Sequence, residues 1–324
     1  MCHYNSRAVT DGSVREFLQY NITMVASEQN NNYAVGADIG GSHICSAVVD
    51  LTTGGLCSEP VVTHVDSRAD ATAIIGAWQS NICTTVKEFG KRVANVGLAI
   101  PGPFDYENGV SLIAGVDKYE NIYGLDVRLS LAERLYDAGI RNLRFVNDAS
   151  AFALGECLGG AARNDSRVVA LTLGTGVGSG FVAEHRLVES GDEVPYKGWV
   201  YHLPFEAGIV DDAFSTRWVC RRYFELTGEN VAGAKEIALR CDSGDDNARR
   251  LFDEYGRRMG EFVLPLLKRF SSHTLLLGGN ISLAYRHFGP SLERTFKNHG
   301  YNVDVRVSAL LDRAALIGAA SLFI

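Results

Sequence analysis

From Tyr33 onward, short apolar runs rich in β-branched residues end in glycine turns and alternate with segments of helical period, a pattern that predicts α/β layers. Residues 34–38 and 44–49 flank Gly40-Gly41-Ser42 and read as two strands of a hairpin. Between Asp70 and Phe89 the spacing of Ile74, Ile75, Trp78, Ile82, Val86 and Phe89 puts one apolar stripe on a helix that should cover the sheet. Further strands are expected at 93–100, stopped by Pro101-Gly102-Pro103, and at 143–146, which carries Asn147-Asp148 to its carboxyl end. After a helix over 149–158, runs at 168–173 and 180–183 enclose Gly174-Thr175-Gly176-Val177-Gly178, so the opening device is repeated. A long helix should bury Leu251, Tyr255, Met259, Phe262, Leu266 and Phe270, with Pro265 kinking it. A strand at 274–277 then enters Gly278-Gly279-Asn280, and a last helix spans about 312–323.

At 324 residues the chain exceeds one ordinary core, so two domains with a ligand cleft between them are expected. A net charge of -7 supplies no general basic field for a polyanion, which argues against nucleic acid as a partner. No apolar run approaches the ~20 residues that span a bilayer, so no membrane partner is expected. The seven cysteines lie far apart without metal-knuckle spacing and read as reduced thiols of a cytoplasmic protein. Residues 1–32 are polar, end in Gln29-Asn30-Asn31-Asn32, and are expected to be disordered and outside the fold.

Two glycine-rich turns after strands suggest a polyphosphate, because glycine lets backbone N–H groups approach an anion closely. Asp38 ends the strand before the first turn, where a carboxylate suits magnesium or its water shell. Each loop alone reads equally as a hairpin turn. Asp148 reads either as the N-cap of the helix that follows or as a base that accepts a hydroxyl proton inside a cleft.

Five segments bear on that choice: Asp38-Ile39-Gly40-Gly41-Ser42-His43-Ile44, the stretch 97–105 around Pro101-Gly102-Pro103, Asn147-Asp148-Ala149-Ser150-Ala151, the stretch 173–178, and Leu277-Gly278-Gly279-Asn280. In order and approximate spacing they resemble the ROK family of sugar kinases and sugar-responsive repressors, from about Tyr33 to the end. The resemblance implies an α/β protein of two actin-like (ribonuclease H-like) domains, residues 33–144 plus 311–324 and residues 145–310, closing over a cleft. It implies ATP and magnesium as cofactors, a sugar as substrate, and a homodimer. It makes Asp148 the catalytic base, with Asn147 and Asn121 at the sugar. It places Asp38, Gly40, Gly41, Ser42, His43, Gly174, Thr175 and Gly176 around the phosphates and magnesium, and Gly278 and Gly279 by the adenosine.

The match departs from the family in the sugar loop. Members carry Gly-Glu-x-Gly-His and then a cysteine-rich zinc knuckle, whereas this chain has Gly198-Trp199-Val200-Tyr201-His202 and a shortened 206–211. His202 has no cysteine partners nearby, so no zinc site is expected. His202 and Asp211 align with family sugar ligands, while Trp199 stands where the family grips sugar hydroxyls with a glutamate. A shifted alignment would bring Glu206 there instead. Two other readings follow: a catalytically idle sugar or nucleotide binder, favoured by Trp199, and a sugar-responsive transcriptional regulator, disfavoured by the short, unpatterned stretch before Tyr33.

Overall fold

The computed structural model describes residues 32–324; the stretch 1–31, nearly all of the segment expected to stand apart, lies outside the described residues. In the first half β1 (Tyr33–Ile39) turns back as β2 (His43–Asp50), and the short β3 (Gly55–Leu56) and β4 (Val61–His64) both pair antiparallel with β2. Helix α1 (Ala71–Phe89) then leads to β5 (Asn95–Ile100), which lies parallel to β1. A small hairpin, β6 (Phe104–Asp105) and β7 (Val110–Ser111), and α2 (Val127–Leu135) precede β8 (Asn142–Asn147), parallel to β5. The strand order is β3-β2-β1-β5-β8, with β4 also on β2.

The second half repeats this plan. After α3 (Asp148–Gly159), β9 (Arg167–Leu173) turns into antiparallel β10 (Val177–Ala183), edged by β11 (Arg186–Leu187). A hairpin of β12 (Pro204–Phe205) and β13 (Gly208–Ile209) and helices α4 (Val210–Phe214), α5 (Thr216–Thr227), α6 (Ala234–Asp242) and α7 (Asp246–Arg269) follow. Then come β14 (Thr274–Gly278), α8 (Tyr285–Asn298), β15 (Asp304–Val307) and α9 (Arg313–Ser321), giving the order β11-β10-β9-β14-β15. Each sheet therefore has an antiparallel hairpin followed by two parallel strands, with the glycine turn of the hairpin at the same end as the tips of those parallel strands.

The helices form where the sequence supplies caps and stripes. The Asp70 carboxylate accepts from Ala73 N at 2.8 Å, a cap worth about 1 kcal/mol, and Gly90 ends α1 in the left-handed region. Ile74, Ile75, Trp78 and Ile82 are buried against the first sheet, while Val86 and Phe89 are half-buried at the margin of the same core, Phe89 against the Tyr33 ring. The expected stripe of α7 is buried from Leu251 to Leu266, and the helix continues through Pro265 to Arg269. The first core is built on Val35, Ile44, Trp78 and Leu98, and the second on Leu171, Phe214, Tyr255 and Leu277. Helix α9 lies on β1 and β5 and also packs against α3, so it touches the machinery of both sheets.

Candidate active site

Strand register brings the acids together. Asp38 pairs with Ala99, and Ala99 with Val146, so Asp38 and Asp148 stand at neighbouring carboxyl ends of strands two places apart, roughly 10 Å at the usual strand spacing. The N-cap of α3 is Asn147: its Oδ1 accepts from Ala149 N at 3.1 Å and Ser150 N at 3.3 Å, while its Nδ2 donates to Tyr106 Oη at 3.3 Å. Asp148 is the first helical residue, accepts from Ala149 N at 2.9 Å, and opens into a cavity of about 600 Å³. Burial raises its pKa, offset in part by the backbone N–H of Ala149. Because this carboxylate is exposed at the cavity, solvent limits that rise.

Asp38 is pushed up from 3.8 to about 7, first by burial and then by repulsion from Asp148 and Asp312. Three carboxylates thus repel one another, and a hard cation would relieve them. Among the described residues no three His, Cys, Asp or Glu side chains approach closely enough to hold a metal by themselves. The donor set fits magnesium that keeps water and phosphate oxygens as its other ligands, and Asp38 would be the residue to hold it. In the metal-free protein, Asp38 keeps near neutral pH a proton that the unfolded chain sheds near 3.8. The unfolded state therefore binds fewer protons between these values, and the Asp38 contribution to stability falls as pH rises from about 4 to about 7. Melting profiles against pH should show this fall in the wild type and lose it in Asp38→Asn; parallel profiles would remove Asp38 from this role.

The second glycine loop is held from below. Gly174 O accepts from both Thr216 N and Thr216 Oγ1 at 2.8 Å, and Asp211 Oδ1 accepts from Val177 N at 2.7 Å while its other oxygen pairs with Arg217 at 2.6 Å. The upper face of Gly174 is open space. Gly174, Thr175, Gly176, Asp211, Asn147, Asp148 and Gly279 all line the cavity. Gly278 does not: a Cβ there would meet the Phe152 ring at 2.3 Å, so this glycine is spent on packing β14 against α3.

Other expected ligands lie elsewhere. Asn121 Nδ2 donates to Arg68 O at 2.8 Å and Ala69 O at 2.9 Å, which staples two loops, and Asn121 is outside the cavity lining. His202 is exposed with its ring against Tyr201; Tyr201, one residue earlier, and Trp199 supply the aromatic wall. Trp199 Nε1 is buried without a hydrogen-bond partner. Glu206 is bound by Arg258 through Nε at 3.0 Å and Nη2 at 2.7 Å, and Arg258 in turn lies over Trp218 at 4.6 Å, so its carboxylate anchors the β12–β13 hairpin to α7. Gly40, Gly41, Ser42 and His43 form the β1–β2 turn beside Asp38, closed by Gly40 N donating to His43 O at 2.9 Å. Tyr119 Oη donates to Gly40 O at 2.6 Å, a contact 79 residues apart that no local pattern announces.

Similarity to known proteins agrees with this geometry. A model of the ROK family matches residues 34–200. A glucokinase of Thermotoga maritima is 27% identical over 262 residues, 72% of this chain and 80% of the relative. An N-acetyl-D-glucosamine kinase of Haemophilus influenzae is 27% identical over 274 residues, 76% and 84% of the two chains. The crystal structure of a ROK hexokinase from Thermus thermophilus superposes with a TM-score of 0.76 at 26% identity, covering 89% of this chain and 97% of that one. With duplicated sheets of the actin-like α/β pattern, and a family match across more than half its length, the chain belongs to the ROK family.

Proposed function

We propose that this protein transfers the terminal phosphate of ATP to a hydroxyl of a hexose or related sugar, with Asp148 as the general base. The observation that carries the reading is the position of Asp148: it is freed from capping by Asn147 and opens into the cavity that the 174–176 loop also lines. The kinases named among its relatives support the substrate class. The sugar lies near Asn147, Trp199 and Tyr201. Asp148 takes the hydroxyl proton as the sugar oxygen forms a bond to the terminal phosphorus and the bond to the ADP oxygen breaks. Backbone N–H groups of the two turns hold the phosphates. When bound, magnesium offsets charge on the transferring phosphate, and Asp38 would hold it through water.

Residues 33–144 plus 311–324 and residues 145–310 act in this reading as two lobes whose closure excludes water. The six described cysteines are free thiols and no described helix is long and apolar enough to cross a membrane, which supports a cytoplasmic enzyme; the partners are the sugar, ATP and a second copy of the chain, without nucleic acid. Trp199 in place of a carboxylate favours one other reading, an idle binder. Magnesium-dependent ATP consumption measured against a panel of hexoses and N-acetylated amino sugars separates them. Sugar-dependent turnover is expected, and silence across the panel combined with sugar binding would establish the idle binder.

A further inference from the structure

The first glycine turn has a cation lying across it. A Cβ at Gly41 would come within 2.6 Å of Lys118 Nζ and 3.0 Å of its Cδ and Cε, so the lysine stem lies flat on that glycine with its ammonium at the turn. Its neighbours in the segment are all committed. Asp117 pairs with Arg68, Glu120 Oε1 accepts from Asp117 N at 2.9 Å, and Asn121 holds Arg68 O and Ala69 O. Tyr119 is 1% exposed, its N donates to Ser67 O at 2.8 Å and its hydroxyl holds Gly40 O. Lys118 alone in 117–121 has, among the described residues, neither an ion pair nor a side-chain hydrogen bond. The segment is thus clamped to the turn by Tyr119 while its one cation is left lying across Gly41.

Ordering a lysine stem costs up to ~2 kcal/mol of rotamer freedom, and an unpaired ammonium gains nothing to offset it until an anion arrives. The turn begins two residues after Asp38, and strand register sets Asp38 and Asp148 at carboxyl ends two strands apart. The phosphate nearest this turn is therefore the one nearest the proton acceptor. We propose that Lys118 Nζ binds the transferred, terminal phosphate of the nucleotide, as a point charge opposite Asp148. This rests on the kinase reading, and it adds a residue that the glycine turns and Asp38 do not supply.

The test compares Lys118→Met, which keeps the stem, with Lys118→Arg, which keeps the charge. Equilibrium titration of the full chain with magnesium and a non-hydrolysable ATP analogue, and separately with ADP, needs no turnover. Lys118→Met should weaken the ATP analogue by roughly ten- to a hundredfold, the range of one charge-assisted hydrogen bond, and leave ADP unchanged. Lys118→Arg should restore most of the loss, and melting temperatures should agree because the side chain is exposed. Unchanged analogue affinity in Lys118→Met, or equal losses for the analogue and ADP, would overturn the assignment. A wild-type chain that binds neither nucleotide would instead bring down the kinase reading, and this inference with it.

Discussion

Replacing Asp148 with asparagine should lower sugar-dependent turnover by about 10²–10⁴-fold while sugar and nucleotide still bind. The amide keeps the size and the bond from Ala149 N but cannot accept the hydroxyl proton. The alternative role, capping α3, makes a different forecast. For that role Asp148→Ala is the informative variant, because asparagine caps as well as aspartate: a lost N-cap would cost about 1 kcal/mol and lower the melting temperature, whereas here Asn147 Oδ1 caps Ala149 and Ser150, so stability should hold. The substitution also removes one of the two carboxylates that raise Asp38, so the Asp38 pKa should fall from about 7 and its pH signature should move with it. Steady-state rates, ligand titrations and melting curves on these two variants therefore read separate consequences. Turnover near that of the wild type in Asp148→Asn would exclude Asp148 as the base, and a lower melting temperature in Asp148→Ala would restore it to the cap.

The parts of this arrangement that local patterns could reveal are those set by short-range rules. The stripe of α1, its Asp70 cap, and the glycine turn after β1 each follow from a few neighbouring residues. The repeat of hairpin and parallel strands was legible because both copies carry the same punctuation. The sugar side was harder. Residues 196–203 have no period, with Lys197 at φ 53°, so nothing fixed whether Tyr201 or His202 faces inward. Glu206 and Asp211 both offered a free carboxylate on paper, and only tertiary structure shows Arg258 and the 174–177 loop taking them. Asp312 stood at the start of the last helix without any motif, yet it joins Asp38 because α9 returns to the first sheet. Its signal is the packing of that helix, which is a non-local fact.

That packing leads to the largest stability effect expected, and the same substitution at two glycines should give opposite signs. A Cβ at Gly318 in α9 would lie 1.7 Å from Ala151 O, and one at Gly155 in α3 would lie 1.9 Å from Ala314 O, so the two helices touch backbone to backbone. Backbone cannot rotate aside as a side chain can. Gly318→Ala should therefore push α3 from α9 and cost about 3 kcal/mol, the upper end for overpacking, lowering the melting temperature by roughly 6 °C or more. Gly76 lies inside α1 with nothing within 4 Å of its would-be Cβ, so Gly76→Ala should gain about 0.5–1 kcal/mol from helix propensity. Equal effects at both sites would show that the α3–α9 contact is looser than its geometry states. The functional consequence follows from where the helices begin: α3 starts at Asp148 and α9 just after Asp312, and β1 beneath α9 carries Asp38. Separating the pair moves Asp148, the proposed base, relative to Asp38 and Asp312, so Gly318→Ala should lose turnover even at temperatures where it remains folded. Full turnover in the folded variant would mean that the α3–α9 contact serves stability alone.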